Sequence, residues 1–336
     1  MRKYKLVVSR KGQTYTEVTT GSSTHGTDQA KTGLLYSSFD DKGNDNPAAL
    51  DIVFDITVAG ADLAMPGSYV EVFGVSIDTV KTIRKYQGGV LSLYAGFSKG
   101  FPLAKPDQYG LIARGTIVQA YGNWTGTSQS VVFMLMAAGV DGEVPFVWNE
   151  GAKLSTAIKS ALKLSYGRYT FINKLSADPV ATVDEASHSE NIFTFGEYLK
   201  RMTLGMGYAK AYGGISITAI GDSIYVYDAP QSAKPINIDF NDMQGQPVYF
   251  GYAGNSTTQV MLNMRKDFTV FSEYTFPTQV SAGYSFISPA NTVTLTKDSS
   301  LIKGTYVANS VRHFGHFRDP RGESWVTIVN GVPKGG

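Results

Sequence analysis

TYVANSVRHFGHFRDPRGESWVTIV, residues 305–329, is the stretch whose reading decides the fold. Asp319-Pro320-Arg321-Gly322 fits a type I turn, with Asp first, the fixed φ of Pro second and Gly fourth. Runs rich in β-branched and aromatic residues flank it, TYVANSVRHFGHF before and SWVTIV after, so the segment reads as a β-hairpin. Two of the four histidines, His313 and His316, lie in its first arm. Side chains alternate faces along a strand, so residues three apart point to opposite sides. Metal ligands converge, as the two histidines of HExxH do on one helix face. No nearby Cys, Asp pair or third His completes a coordination set. The pair is therefore read as structural, with no metal, cofactor or catalytic role expected.

The same pattern continues outward from the hairpin. VMLNM (260–264), DFTVFSEYTFP (267–277) and NTVTLTK (291–297) read as strands, and PINIDF (235–240) alternates through Ile236, Ile238 and Phe240. GGISITAIGDSIYVYD (213–228) reads as a hairpin on a two-residue Gly221-Asp222 turn. At the other end of the chain, KYKLVVS and TYTEVTT suggest a hairpin around Lys11-Gly12. The polar tract Gly21–Pro47 reads as a long loop. ALDIVFDITVAG, SYVEVFGV, GGVLSLYAGF, LIARGTIVQAYGNW and SQSVVFMLMAAG complete a first β region. Strands at this spacing indicate an antiparallel barrel or sandwich.

Between the β regions the period changes. Leu154, Ala157, Ile158, Ala161 and Leu162 form one apolar stripe of a helix, with Gly167 available as its stop. In NIFTFGEYLKRMTLG, Thr194 and Glu197 match a capping box, and Phe195, Tyr198, Leu199 and Met202 form the apolar face. The expected class is mainly β with a small α/β insert, divided as 1–145, a helical element at 146–212, and 213–336. No internal repeat is legible between the two β regions.

Composition narrows the function. Only 17% of the 336 residues are charged, 12% are aromatic and 36 are Gly. Twisted strands and surfaces that become buried in an assembly suit this balance. The net charge of +2 comes without a long basic run, so nothing marks a nucleic-acid binder. The absence of Cys excludes disulfides, thiolate sites and thiol nucleophiles. No P-loop, GxGxxG, GxSxG, HExxH or EF-hand pattern occurs. Asp40, Asp41 and Asp45 lack the far bidentate acid of a calcium loop, and His25 and His188 fall in expected loops without a partner. An enzyme is not expected. The N-terminus lacks the apolar run of a secretory signal and no stretch reaches transmembrane length, so a soluble, cytoplasmically made chain is expected. The sequon Asn123-Trp124-Thr125 is then read as chance.

SYVEVFGVSIDTV with LSLYAGFSKGFPLAKPDQYGLIARGTIVQAYGNWTGT resembles the first tube-like domain of baseplate hub proteins of contractile-tailed, particularly Mu-like, phages. FVWNEGAKLSTAIKSAL, FTFGEYL, INIDFNDMQGQPVYF and the closing VRHFGHFRDPRGESWVTIV follow in the same order, from about Ala49 onward. The resemblance implies two tube-like antiparallel β-barrels, at 1–145 and 213–336, that superpose. It also implies a homotrimeric ring joining a six-fold tail tube to a three-fold central spike, beside other baseplate proteins. DNA would pass only through the lumen, and the chain would not insert in a membrane. The location implied is the virion tail, assembled in the host cytoplasm. The tract Gly21–Pro47 has no counterpart in that family. It is expected to project toward a neighbour, with His25, Tyr36 and Phe39 as candidate subunit-interface residues. A carbohydrate- or receptor-binding β-module is the alternative, which surface Trp would favour. An outer-membrane barrel is disfavoured by the two mid-chain helices.

Overall fold

The computed structural model describes residues 1–11, 33–40, 42–58, 67–97, 108–136, 142–167, 169–208, 214–220, 223–228, 234–252, 255–287, 293–321 and 324–334. The chain forms two compact units: Met1–Met136 with Ser232–Lys334, and Ala137–Gln231.

The first unit begins with β1 (Arg2–Ser9), β2 (Gly33–Ser37), β3 (Ile52–Val58) and β4 (Ser68–Phe73). Helix α1 (Ile77–Thr82), β5 (Val90–Phe97), β6 (Gly110–Thr125) and β7 (Ser128–Met136) follow. The second unit contains β8 (Val144–Trp148), α2 (Leu154–Tyr166), β9 (Thr170–Lys174), β10 (Glu185–Ser189), α3 (Ile192–Gly205), β11 (Ser216–Ile220) and β12 (Ser223–Tyr227). The chain then returns to the first unit through β13 (Ile236–Asn237), β14 (Val248–Tyr252), β15 (Asn255–Asn263), β16 (Glu273–Ile287), β17 (Val293–His316) and β18 (Trp325–Pro333). The protein is thus mainly β, with antiparallel pairing dominant.

One sheet of 13 strands carries the first unit, in the order β13-β16-β14-β15-β18-β17-β3-β4-β7-β6-β5-β1-β2. A further β16–β17 pairing returns this sheet on itself, so β14, β15, β18, β17 and β16 close a ring of hydrogen-bonded strands. The first and second β regions meet at β3. One edge of β3 takes β4, and the other takes β17 in a register running from Val311 opposite Val58 to His316 opposite Val53. That register is set by burial. Ile52, Phe54, Ile56 and Val58 face inward, worth on the order of 6–12 kcal/mol together at 1.5–3 kcal/mol for each buried side chain. A one-residue slip would exchange them for Val53, Asp55 and Thr57.

A single apolar core underlies both β regions, running from Tyr4 and Leu6 through Phe54 and Phe133 to Trp325 and Val329. Trp325 is its keystone. Its indole N–H donates to the Gly96 carbonyl at 2.9 Å, and its ring meets Phe54 edge-on with centroids 5.2 Å apart. The two β regions therefore share a sheet and a core, which the expected division at 145 and 213 does not convey.

The second unit has its own core. Leu154, Ala157, Ile158, Ala161 and Leu162 of α2 are buried as their spacing predicts, beside Phe146, Phe195 and Trp148. Gly167 ends α2 with a right-handed φ of −61°, not the left-handed stop that Gly favours. The α3 cap lies three residues before the expected one. Asn191 accepts from the backbone N–H groups of Phe193 and Thr194, and the Thr194 hydroxyl accepts from Asn191 N–H. Thr194 is therefore the third helical residue of the box, not its cap. The expected hairpin at 213–228 forms as β11–β12, but β12 pairs in parallel with β9, so the hairpin belongs to the second unit and not to the last β region.

Other expectations change for local reasons. β1 is paired by β2 on one edge and β5 on the other; TYTEVTT, its expected partner, lies outside the described residues. β2 lies within the tract read as a loop, because Leu34 and Tyr36 alternate inward inside an otherwise polar segment. Helix α1, capped by Ser76, follows β4 where no helix was expected. PINIDF keeps Ile236 and Ile238 inside, but Asp239 caps a 3-10 turn that carries Phe240 into solvent.

Candidate functional site

The terminal hairpin forms as its sequence predicts. β17 pairs with β18 up to Gly315 opposite Trp325, and Asp319 organises the turn by accepting from Arg321 N–H at 3.0 Å and Ser324 N–H at 3.1 Å. Hydrogen bonds from Ser324, then Arg321, hold the Asp319 carboxyl down at about 2.

His313 and His316 sit on opposite faces of β17. His316 faces outward, with Nε2 2.9 Å from Asp51 Oδ2. The other oxygen of Asp51 accepts Arg318 N–H at 3.0 Å, while the Arg318 guanidinium donates to the Ala49 carbonyl. The Arg2 guanidinium donates to the His316 and Phe317 carbonyls, tying β1 to this corner. His313 is fully buried, with Nδ1 3.0 Å from Thr327 Oγ1. Burial pushes its imidazole down to about 3, against a small opposing pull from Asp267.

Beneath His313 lies a buried polar cluster. Arg265, fully enclosed, forms a two-pronged pair with Asp267, Nε to Oδ1 and Nη2 to Oδ2, each 2.6 Å. Its Nη1 lies 3.0 Å from Oδ2 of Asp242, whose side chain is also fully enclosed. Gln108 Nε2 donates to Asp242 Oδ1 at 2.9 Å, and Asp239 N–H to Oδ2 at 3.2 Å. Thr327 Oγ1 accepts Arg265 N–H at 3.1 Å, and the guanidinium lies 5.2 Å over the Phe268 ring. Burial lowers the Arg265 pKa, but Asp267 and Asp242 outweigh it and the net direction is up. Residues from the end of the β5–β6 connection, the turn after β13, the β15–β16 connection and β17–β18 thus converge on one point. Of these, sequence reading singled out His313 alone. Arg265-Lys266-Asp267 has the look of a solvated turn, and no local pattern distinguishes a buried Arg from an exposed one.

The candidate interface residues separate. His25 lies outside the described residues. Tyr36 points into the core from β2, and burial drives its phenol pKa upward. Phe39 is half-buried, edge-on to Tyr109 at 5.5 Å and under the Lys3 ammonium. His188 is on β10, not in a loop, with its ring 3.5 Å from Glu143. Asp40 is satisfied by the backbone and side-chain N–H groups of Asn44. Trp148 and Trp325 are core residues, whereas Trp124 is 65% exposed near the β6–β7 turn. Phe240 is 81% exposed. Among the described residues, no group of three His, Asp or Glu side chains is placed to hold a metal ion. No helix there is long and apolar enough to cross a membrane. The polar groups of the hairpin and cluster bind one another, an arrangement that fixes the positions of strands.

No protein-family model and no curated protein sequence matches the chain. Solved structures do. The chain is similar to the tail protein from Neisseria meningitidis MC58, with a TM-score of 0.52 and 9% identity, over 99% of this chain and 97% of that one. It also aligns with a chain of the lidded Francisella PdpA-VgrG complex, with a TM-score of 0.43, 6% identity and 99% of this chain covered. In that case it spans about half, 53%, of the other chain's length. The chain shares its fold with that Neisseria tail protein.

Proposed function

We propose that this chain is the baseplate hub of a contractile phage-type tail, a non-enzymatic homotrimeric ring between a six-fold tail tube and a three-fold spike. The observation that supports this reading best is the end-to-end likeness to a tail protein, which takes in both β regions and the second unit at nearly equal chain lengths. The order of the hub-like motifs, from SYVEVFGV to the terminal hairpin, adds to it. In this reading each subunit supplies two tube-like wall segments, Met1–Met136 and Ser232–Lys334, narrower than the expected 1–145 and 213–336 and joined at the β3–β17 seam. Three subunits then present six segments to the tube while keeping three-fold symmetry toward the spike, and heterologous contacts close the ring. DNA passes through the lumen without being held, other baseplate proteins pack outside, and the chain resides in the virion tail after assembly in the host cytoplasm.

The tract carrying His25, Tyr36 and Phe39 is proposed as one subunit contact. Tyr36 would act indirectly there, by anchoring β2, which ends the sheet order. An end strand leaves backbone groups available to a neighbouring chain. The carbohydrate-binding alternative keeps only Trp124 as an exposed indole, a narrow platform for a sugar.

Light scattering on the purified protein should give about three times the 36.3 kDa chain mass, and electron microscopy a three-fold ring with a central hole. A monomer at every concentration tested refutes the reading.

A further inference from the structure

Charge on the first unit gathers where the helix after β4 meets the end of β1. Lys81 lies on α1, and Arg84 and Lys85 lie on the 3-10 turn Ile83–Tyr86 that continues it; all three are exposed. Exposed Arg10 holds its guanidinium 5.4 Å over the Tyr86 ring, and exposed Lys11 runs beside Gly88, just past that turn. Among the described residues none of these five cations pairs with a carboxylate, and Asp78 is the one acid on α1. The helix packs on the β6–β7 hairpin, since a Cβ at Gly122 would fall 2.4 Å from Val80 Cγ1. Two residues further on, Trp124 stands in solvent at the hairpin's tip, its indole N–H satisfied by the Gly126 carbonyl and its ring open. Residues 115–140 carry no charge, so the hairpin adds an aromatic anchor and no counter-ion.

The second unit has a surface of the opposite kind. β8 and β10 form an antiparallel ribbon with Val147 opposite Ala186 and Pro145 opposite His188. One face buries Phe146 and Trp148, while the other leaves Val147 56% exposed, and Val183 just before β10 is 60% exposed. Exposed acids stand at both ends of the ribbon, Glu143 and Glu190 at one and Glu150 and Asp184 at the other. Neither strand carries Lys or Arg, and Lys153, bridged to Val180, is the first cation after β8. An apolar centre inside a charged rim is the usual anatomy of a protein contact. Each surface supplies what the other lacks: cations and an indole on one, carboxylates and valines on the other.

We propose that the cationic, Trp124-bearing end of one copy seats on the β8–β10 face of the next. The inference rests on the homotrimer reading and names its contact. Two different surfaces meet, so the contact is heterologous and closes into a ring under three-fold rotation. Cations alone would suit a nucleic-acid phosphate equally well; the complementary acidic face favours a second copy.

The test uses the whole protein and its association measured by light scattering. Arg84→Glu with Lys85→Glu should raise the concentration at which trimers form by about tenfold or more, and Glu150→Lys with Glu190→Lys should do the same. All four changes in one chain restore opposite charges across the contact and should recover most of the association. Raising salt from about 0.1 M to about 1 M shortens the screening length from about 10 Å to about 3 Å and should loosen the wild-type trimer. Variants are compared at unchanged urea midpoints, with Lys85→Glu or Glu190→Lys alone where a double change unfolds the chain. A trimer indifferent to both reversals, or a four-fold variant no better than either pair, overturns this contact and leaves the hub reading standing. A wild type that is monomeric at every concentration overturns both. Should Arg84→Glu with Lys85→Glu keep the trimer but abolish retention of a short DNA duplex, nucleic acid is the partner and the proposal falls.

Discussion

Replacing Arg265 by Met tests the buried cluster most directly. Met keeps most of the length and apolar stem, so the cavity contribution is small. What changes is electrostatic. Asp242 is fully enclosed and loses the Arg265 guanidinium, keeping Gln108 Nε2 and Asp239 N–H as donors. Asp267 retains 34% side-chain exposure and can rehydrate, so it contributes less. Removing one partner of a buried pair costs about 3–5 kcal/mol, and loss of the guanidinium over Phe268 adds on the order of 0.5–1 kcal/mol. The expected destabilisation is therefore about 3.5–6 kcal/mol, a large part of a domain's usual 5–15 kcal/mol. Neutralising Asp242 as well removes the stranded charge, so Arg265→Met with Asp242→Asn should be at least about 1 kcal/mol more stable than Arg265→Met alone. Urea unfolding of protein carrying 5-fluorotryptophan resolves the units, because Trp325 reports the first and Trp148 the second. A loss below about 1 kcal/mol at Trp325, or simple additivity in the double variant, would falsify the account of a buried, coupled pair.

Ile158→Asp should destabilise the second unit by several kcal/mol or force the new carboxyl to stay protonated, whereas exposed Lys159→Asp should fall within about 0.5 kcal/mol; equal urea midpoints at the Trp148 probe contradict the helix assignment. His313 binds a proton only below about 3 when folded but near 6.5 when unfolded, so its contribution is complete above about pH 6.5 and declines as pH falls toward 3, by at most about 1.4 kcal/mol per pH unit. Acid titrations of stability should show that slope reduced by close to one proton in His313→Gln, and parallel curves would contradict the burial. Gly315→Ala places a methyl 2.3 Å from Phe54 Cζ and 2.9 Å from Trp325, and should cost about 1–3 kcal/mol as a fall in the first unit's urea midpoint. An unchanged midpoint would mean that β3 and β18 are not packed across Gly315 as described.

Periodicity was legible wherever one residue's neighbours along the chain determine its face. The stripe Leu154–Leu162 and the alternation Ile52–Phe54–Ile56 appear in the structure residue for residue. Short elements were not legible. α1 carries six residues and its N-cap Ser76 stands in a run that also reads as strand, so no period accumulates. Phe240 followed the alternation of Ile236 and Ile238 until Asp239 capped the 3-10 turn, a local hydrogen bond overriding the pattern. The buried cluster was hidden for a different reason. Gln108, Asp242 and Arg265 are far apart in sequence, and each looks solvated until the other two remove it from water. His313 was singled out in the sequence, but its partner Thr327 lies on the opposite arm, 14 residues away, and no local pattern joins the two.

The β3–β17 seam bears on how a ring of such subunits could be made. Six residue pairs join the strands, and the core beneath them is shared by Phe54 and Trp325. Rotating one β region against the other would break the ladder at roughly 0.5–1.5 kcal/mol for each hydrogen bond and also open the core. Hinge motion between the β regions is thus an expensive way to fit a partner. On the proposed reading, the angle between the two wall segments is set when the chain folds, before any neighbour is met. Matching three subunits to a six-fold tube then depends on the twist of strands β4, β3, β17 and β18, because these span the seam. The inward Gly315 lets Phe54 and Trp325 close on each other there, so the position that decides the hairpin's packing also decides the angle of the wall.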